Sequence, residues 1–398
     1  MSPDPSLELA PWPCYADDER EAVDRVLRSG KVNYWTGDEA RQFEREYAAA
    51  VGCPHAVALA NGTAALELAL LALEVPAGAE VVTTPRTFIA SASAAVVRGC
   101  VPVLADVALD SGNITAESIA KVLTPRTRAI IAVHLAGWPC DMDPIMALAR
   151  EHGLKVIEDC AQANGAEYKG RPVGSIGDAG AFSFCQDKII TTGGEGGLLT
   201  TRDEAVWRRA WEYKDHGKSW DAVYKRDHVP GFRWLHESYG TNWRMTEIQA
   251  VIGRAQLRKL PEWNRIRREH MDLLFDRLSD LPTLRLPRPS SDLRHGAYKA
   301  YAYVRPETLR DGWTRDRLMV EITEQGVPCY SGSCSEIYLE KAFTSAGHGP
   351  ALPLPNAREL GETSLQFLIH PTLTTEAMTE ASKRIFAVLR EATRPGAQ

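Results

Sequence analysis

The chain is 398 residues long, 44% hydrophobic and 25% charged, a composition that supports a large buried core and suggests two domains. Its net charge of −6, with basic residues scattered along the chain, argues against a nucleic-acid or anionic-membrane partner. No apolar run approaches the roughly 20 residues that span a bilayer, which argues against a membrane protein. The opening Met-Ser-Pro-Asp-Pro-Ser shows no signal-peptide pattern. The eight cysteines form no cluster of metal-ligand spacing, so free thiols, no metal and a cytoplasmic setting are expected.

Between residues 50 and 200 short apolar runs alternate with helical patterns. Strands are predicted over 56–60, 80–84, 101–106, 129–135, 155–160, 179–185 and 197–201, with helices over 64–73, 89–98, 116–122 and 144–151. That alternation predicts an α/β fold with a mostly parallel sheet covered on both faces. Residues 203–243, rich in Trp, Tyr, His, Lys and Arg, show no clean period and read as a long functional or interfacial loop. A helical pattern follows over 246–278, kinked or broken near Pro261. After Leu281-Pro282 the pattern becomes a smaller α+β unit. The domain boundary is placed near residue 255, giving a large domain over 1–255 and a small one over 256–398.

Ligands of parallel sheets gather at the carboxyl ends of the strands, and several chemistry-bearing residues fall there. Asn61-Gly62-Thr63 follows the first strand and opens a helix, which reads as a helix cap or, at a strand end, as an anion cradle. Phe88 follows the second strand, placed either to stack on a flat ring or to begin a core helix. Asp159 ends an apolar strand, where a carboxylate is unfavourable unless paired; a protonated pyridine nitrogen is one partner, and a helix cap is the other explanation. Gln162 lies on the same rim, and Ser183 offers a second hydroxyl. Lys188 lies between the 179–185 strand and the glycine-dense stretch from Gly193 to Gly197. An amine held there forms a Schiff base with a carbonyl, as pyridoxal 5′-phosphate (PLP) enzymes require.

Together these motifs resemble the DegT-type sugar-nucleotide aminotransferases. The resemblance is carried by Asn61-Gly62-Thr63, Thr87-Phe88, Glu158-Asp159-Cys160-Ala161-Gln162, Ser183-Phe184 through Lys188 and Gly194-Glu195-Gly196-Gly197. His134 before Asp141-Met142-Asp143, and Gly240-Thr241-Asn242-Trp243-Arg244-Met245, extend it. It implies fold type I of the PLP-dependent transferases and a homodimer with shared active sites. The resemblance also implies roles. Lys188 would carry the cofactor, Asp159 would pair with its ring nitrogen and Phe88 would stack on its ring. Gly62, Thr63 and Ser183 would hold its phosphate, with Gln162 near the ring oxygen. Asn242 would reach the phosphate of the neighbouring subunit's cofactor. The implied reaction moves an amino group from L-glutamate or L-glutamine to a nucleotide-linked keto-sugar, for amino-sugar, polysaccharide or secondary-metabolite synthesis. Alternatives are an aminotransferase for a cyclitol or amino-shikimate-type ring, or a non-catalytic regulatory or scaffold relative.

The C-terminal part departs from the family. Where many members have a Tyr-x-Pro-x-His type segment, this chain reads Cys-Tyr-Ser-Gly-Ser-Cys-Ser-Glu-Ile-Tyr over 329–338. Tyr330 and Glu336 in that segment are candidate substrate contacts. Arg86 is a candidate for a nucleotide phosphate or a carboxylate, with an ion pair as its alternative. Tyr34, in Tyr34-Trp35-Thr36-Gly37, is a candidate for the substrate mouth, with a buried aromatic pair as the alternative.

Overall fold

A computed structural model describes residues 7, 9–227, 230–231 and 233–397. The Met-Ser-Pro-Asp-Pro-Ser opening lies outside the described residues. Two helices, α1 (Asp17–Ser29) and α2 (Glu39–Val51), precede the sheet. Then come β1 (His55–Leu59), α3 (Gly62–Ala72), β2 (Glu80–Thr83), α4 (Ala90–Val97), β3 (Val101–Leu104) and α5 (Ala116–Ala120). They are followed by β4 (Thr127–Val133), α6 (Met142–His152) and β5 (Lys155–Asp159). After the short strands β6 (Glu167–Tyr168) and β7 (Arg171–Pro172) come β8 (Ala179–Ser183) and β9 (Gly197–Thr201).

The central sheet has the order β1-β9-β8-β5-β4-β2-β3. Neighbours from β8 to β3 run parallel, and only β9 is antiparallel to both strands beside it. The reason these runs read as continuously apolar is visible in β4. Ala129, Ile131 and Val133 pack into the core on one face, Ile130 and Ala132 into the core on the other. The predicted strands overrun their carboxyl ends by one or two residues in several cases.

The stretch from residue 203 corrects the sequence reading. It holds two helices, α7 (Glu204–Lys214) and α8 (Trp220–Tyr224), capped by Asp203 and Ser219. Val206, Ala210 and Trp211 form the buried face of α7. The expected break near Pro261 also does not occur: α9 (Glu247–Leu278) continues through it. A proline removes one intrahelical hydrogen bond, and packing on both sides outweighs that loss. The helix begins with a capping box between Thr246 and Gln249, packs on α1 and α2, and then meets the C-terminal helix. Residue 255 lies inside it. Its last turns supply Met271, Leu274, Phe275 and Leu278 to a second core.

That second core belongs to an α+β unit. It contains β10 (Leu284–Arg285), β11 (Leu293–Arg294), β12 (Ala300–Val304), α10 (Arg315–Glu324), β13 (Cys329–Tyr330), α11 (Lys341–Ala346), α12 (Pro355–Thr363), β14 (Ser364–Phe367) and α13 (Thr375–Ala392). Strands β10-β12-β14-β13 form an antiparallel sheet. Strand β11 instead pairs with β6 and ties this unit back to the first.

Candidate active site

Strand register brings three distant motifs together. Gly197 pairs with Leu59 on one side and with Ser183 on the other, so Asn61-Gly62 lies against the end of β8. A Cβ on Gly62 would stand 2.6 Å from Ser183 Cβ, and one on Gly197 would stand 2.1 Å from the Asn61 carbonyl oxygen. Only glycine permits that approach. Asn61 Oδ1 accepts the Ala64 N–H at 2.9 Å and caps α3. Gly62 and Thr63 thus open the helix at the cleft wall, beside Ser183.

Asp159 sits at the end of β5, buried. Its Oδ2 accepts from Ser91 Oγ at 2.7 Å and its Oδ1 from the Ala161 N–H at 3.1 Å. Burial pushes its carboxyl above the usual range, only partly offset by these neutral donors and by Lys188 and His134. The preceding Glu158 is handled differently. Burial would raise it too, but a hydrogen bond with His134, reinforced by backbone N–H donors that include Gly177, holds it below the usual range. Its Oε1 accepts the Ile176 and Gly177 N–H groups, each at 2.7 Å. His134 Nδ1 accepts the Cys140 N–H at 2.9 Å, so the ring is assigned its proton at Nε2, which donates to Glu158 at 3.1 Å. The His134 backbone N–H reaches the Asp159 carbonyl, so this buried pair fixes the strand end that carries Asp159. Gln162 Oε1 accepts the Ala136 N–H at 2.8 Å.

Lys188 follows β8 in a turn anchored by the fully buried Ile189 and Ile190. Its carbonyl accepts the Trp12 indole N–H at 2.9 Å. Its Nζ lies 3.8 Å from Asp187 and 5.0 Å from the centre of the Tyr298 ring, whose hydroxyl donates to Asp187.

These residues line one cleft of about 920 Å³ between the two units. Gly62, Thr63, Phe88, Asp159, Gln162, Ser183, Lys188 and Tyr330 all border it. Phe88 is 68% exposed on its rim. The segment 329–338 is docked beside it. The Thr87 and Ile337 N–H groups donate to the Cys334 and Pro85 carbonyls at 3.0 and 3.1 Å, and the Ser333 N–H donates to the Tyr301 hydroxyl at 2.8 Å.

Four candidates lie elsewhere. Arg86 is fully buried: its Nη1 donates to Ser335 Oγ at 2.7 Å and its guanidinium packs on the Tyr301 and Tyr303 rings. It braces the junction between the units and does not line the cleft. Tyr34 is core, its hydroxyl accepting from Trp211 Nε1 at 3.1 Å and donating to Glu44 at 3.2 Å. Glu336 accepts from the Tyr338 hydroxyl and stays out of the cleft. Asn242 is exposed and outside the cleft of its own chain. Conversely, Ser91, Tyr298, Lys299, Tyr301, Ser333 and Gln366 border the cleft without having been singled out. Ser91 had a local signal, a hydroxyl in the first turn of α4 four residues after Thr87, with which it shares a hydrogen bond; the others are placed by long-range pairing.

The donor set fits PLP. It offers an amine, a buried carboxylate short of positive charge, and a helix N-terminus flanked by two hydroxyls where a side chain on Gly62 would fill the space. The model of the DegT/DnrJ/EryC1/StrS aminotransferase family matches residues 13–386. The chain belongs to this family. An aminotransferase from Psychrobacter cryohalolentis superposes with a TM-score of 0.95 at 55% identity, over 97% of this chain and 100% of that one. The spore coat polysaccharide biosynthesis protein SpsC of Bacillus subtilis is 33% identical over 382 residues, 96% of each chain. A UDP-N-acetyl-3-dehydro-α-D-glucosamine 3-aminotransferase of Acidithiobacillus ferrooxidans is 41% identical over 277 residues, 68% of this chain and 72% of that protein. This DegT-family chain is a PLP-dependent aminotransferase of fold type I. Among its described residues no helix is long and apolar enough to cross a membrane.

Proposed function

We propose that the protein transfers an amino group from L-glutamate, or L-glutamine, to a nucleotide-linked keto-hexose in amino-sugar synthesis, for a polysaccharide or a glycosylated metabolite. The observation that carries this reading is the cleft itself. Its wide volume is bordered by the Lys188 amine and the Asp159 carboxylate and also by Tyr298, Tyr301, Tyr330, Ser333 and Gln366. Hydroxyl- and amide-bearing walls of that kind suit a polyol far better than an apolar substrate. The similarity to an aminotransferase named for a UDP-linked 3-keto sugar supports it.

PLP, when bound, supplies an electron sink conjugated to the donor's α-carbon. The chain supplies the rest. Lys188 would anchor the cofactor, and its Nζ, when free, would hold and move the α-proton. Asp159 keeps the ring nitrogen protonated by offering it a buried negative charge. Gly62, Thr63 and Ser183 hold the phosphate at the N-terminus of α3. Gln162 bonds the ring oxygen, and Phe88 covers the ring from the rim. Asn242, exposed on its own chain, reaches the neighbouring subunit's site in a homodimer.

Protein first charged with L-glutamate and freed of excess donor is offered nucleotide-linked keto-hexoses. Return of the original visible spectrum together with a nucleotide-linked amino sugar is expected. Return with a keto-cyclitol alone would contradict the sugar assignment and favour a ring substrate.

A further inference from the structure

We infer that Lys299 is the subsite for the α-carboxylate of the amino-acid donor. The inference rests on the reading that this cleft takes a glutamate-type donor, and it assigns the residue that would recognise it. Lys299 directly precedes β12 and, with Lys188, is one of only two cations among the described residues that line the cleft. The Nζ atoms of both lie over the Tyr298 ring, at 4.8 Å for Lys299 and 5.0 Å for Lys188. Arg267, fully buried, packs on the Trp12 ring and donates its Nη1 to the Tyr298 carbonyl at 3.4 Å, its Nε and Nη2 being without hydrogen-bond partners. Asp187 is the carboxylate that acts on both lysines; it already accepts from Tyr298 and lies 3.8 Å from Lys188, so Lys299 has none of its own. No carboxylate of the described residues lies within ion-pair distance of Lys299.

A half-buried ammonium with no ion pair of its own is a favourable place for an arriving carboxylate, and Lys299 keeps its charge while Lys188 is taken up in holding the cofactor. Burial, with Arg267 and Lys188 adding to it, lowers the Lys299 ammonium to about 8, as expected of a cation lacking a close partner. Position selects which anion. The α-carboxylate of an amino acid is one bond from the carbon whose amine reacts, so its subsite has to adjoin Lys188. The diphosphate of a nucleotide sugar is separated from a ring ketone by several bonds and belongs further out.

The test compares holoenzyme with Lys299→Met, Lys299→Gln and Lys299→Arg, each checked for an unchanged visible cofactor band and oligomeric state. Two quantities are read: the L-glutamate concentration at half-maximal rate of the first half-reaction, and the half-saturating concentration of glutarate, a dicarboxylate that binds without reacting. Lys299→Met and Lys299→Gln are expected to raise both by about tenfold or more. Lys299→Arg recovers most of the loss, and L-glutamine, which keeps only the α-carboxylate, shows the same rise as glutamate. Donor and glutarate values unchanged in Lys299→Gln would overturn the assignment, as would a rise confined to the keto-sugar half-reaction. Failure of the underlying reading looks different: the unsubstituted protein itself would then not respond to either amino acid.

Discussion

Glu158 and Asp159 are consecutive, both buried, and pushed in opposite directions. Glu158 is surrounded by donors from His134, Ile176 and Gly177, whereas Asp159 has one hydroxyl and one backbone N–H. The first is a structural charge and the second is held in reserve for a cationic partner. Because the folded-state value of Glu158 is depressed, its contribution to stability is fully present above the ordinary glutamate range and is lost as pH falls through the folded value. Glu158→Gln is therefore expected to lose about 2 kcal/mol at neutral pH by urea denaturation, with a flatter acid limb than the parent. An identical acid limb in the two proteins would refute the role. At this scale the cleft positions of Lys188, Asp159, Gly62 and Ser183 were legible in the sequence, because each sits at or soon after the carboxyl end of an apolar strand. Tyr34 and Arg86 were misplaced because their partners, Trp211 and Ser335, are 177 and 249 residues away in the chain.

At the level of elements, the site depends on β9 lying between β1 and β8 and drawing the N-terminus of α3 onto Ser183. Gly62→Ala places a methyl group where Ser183 already stands and has to move the helix. PLP affinity, measured by titrating the cofactor-free protein, is expected to weaken roughly tenfold or more while the fold persists. Unchanged affinity would mean that the α3 terminus does not form the cradle. The strands and α3 were legible from period and turn residues. Helix α7 was not, although Val206, Trp207, Ala210 and Trp211 do follow a helical spacing, because its aromatic and charged content masks that stripe. Pro261 misled for the converse reason: a local rule was overridden by packing at both ends of α9. The cleft wall of Tyr298, Lys299, Tyr301 and Gln366 depends on the register of β12 against β14, which no local pattern specifies.

For the whole molecule, the segment leading into Asn242 carries exposed aromatic side chains, with Trp234 at 86% and Tyr239 at 98% exposure. Large exposed aromatics in one region mark an interaction surface, in keeping with a homodimer whose sites are shared. Mixing subunits tests this sharing. In the proposed homodimer, a Lys188→Ala chain and an Asn242→Ala chain are each expected to impair both sites of their own dimer. A mixed dimer restores one site from the intact Lys188 of one chain and the intact Asn242 of the other. Random mixing is expected to recover about a quarter of parental activity; recovery no greater than the sum of the separate variants would show that each site is built within one chain.

The central claim is that Lys188 holds PLP and passes an amino group through it. The most direct test is the visible spectrum of the purified protein with PLP, before and after L-glutamate, for the parent and for Lys188→Ala. The parent is expected to show a lysine-bound cofactor band that gives way to the pyridoxamine form. Lys188→Ala is expected to remain a folded dimer with neither the band nor turnover. A parent protein that forms no such band, or a Lys188→Ala variant that still turns over, would contradict the account.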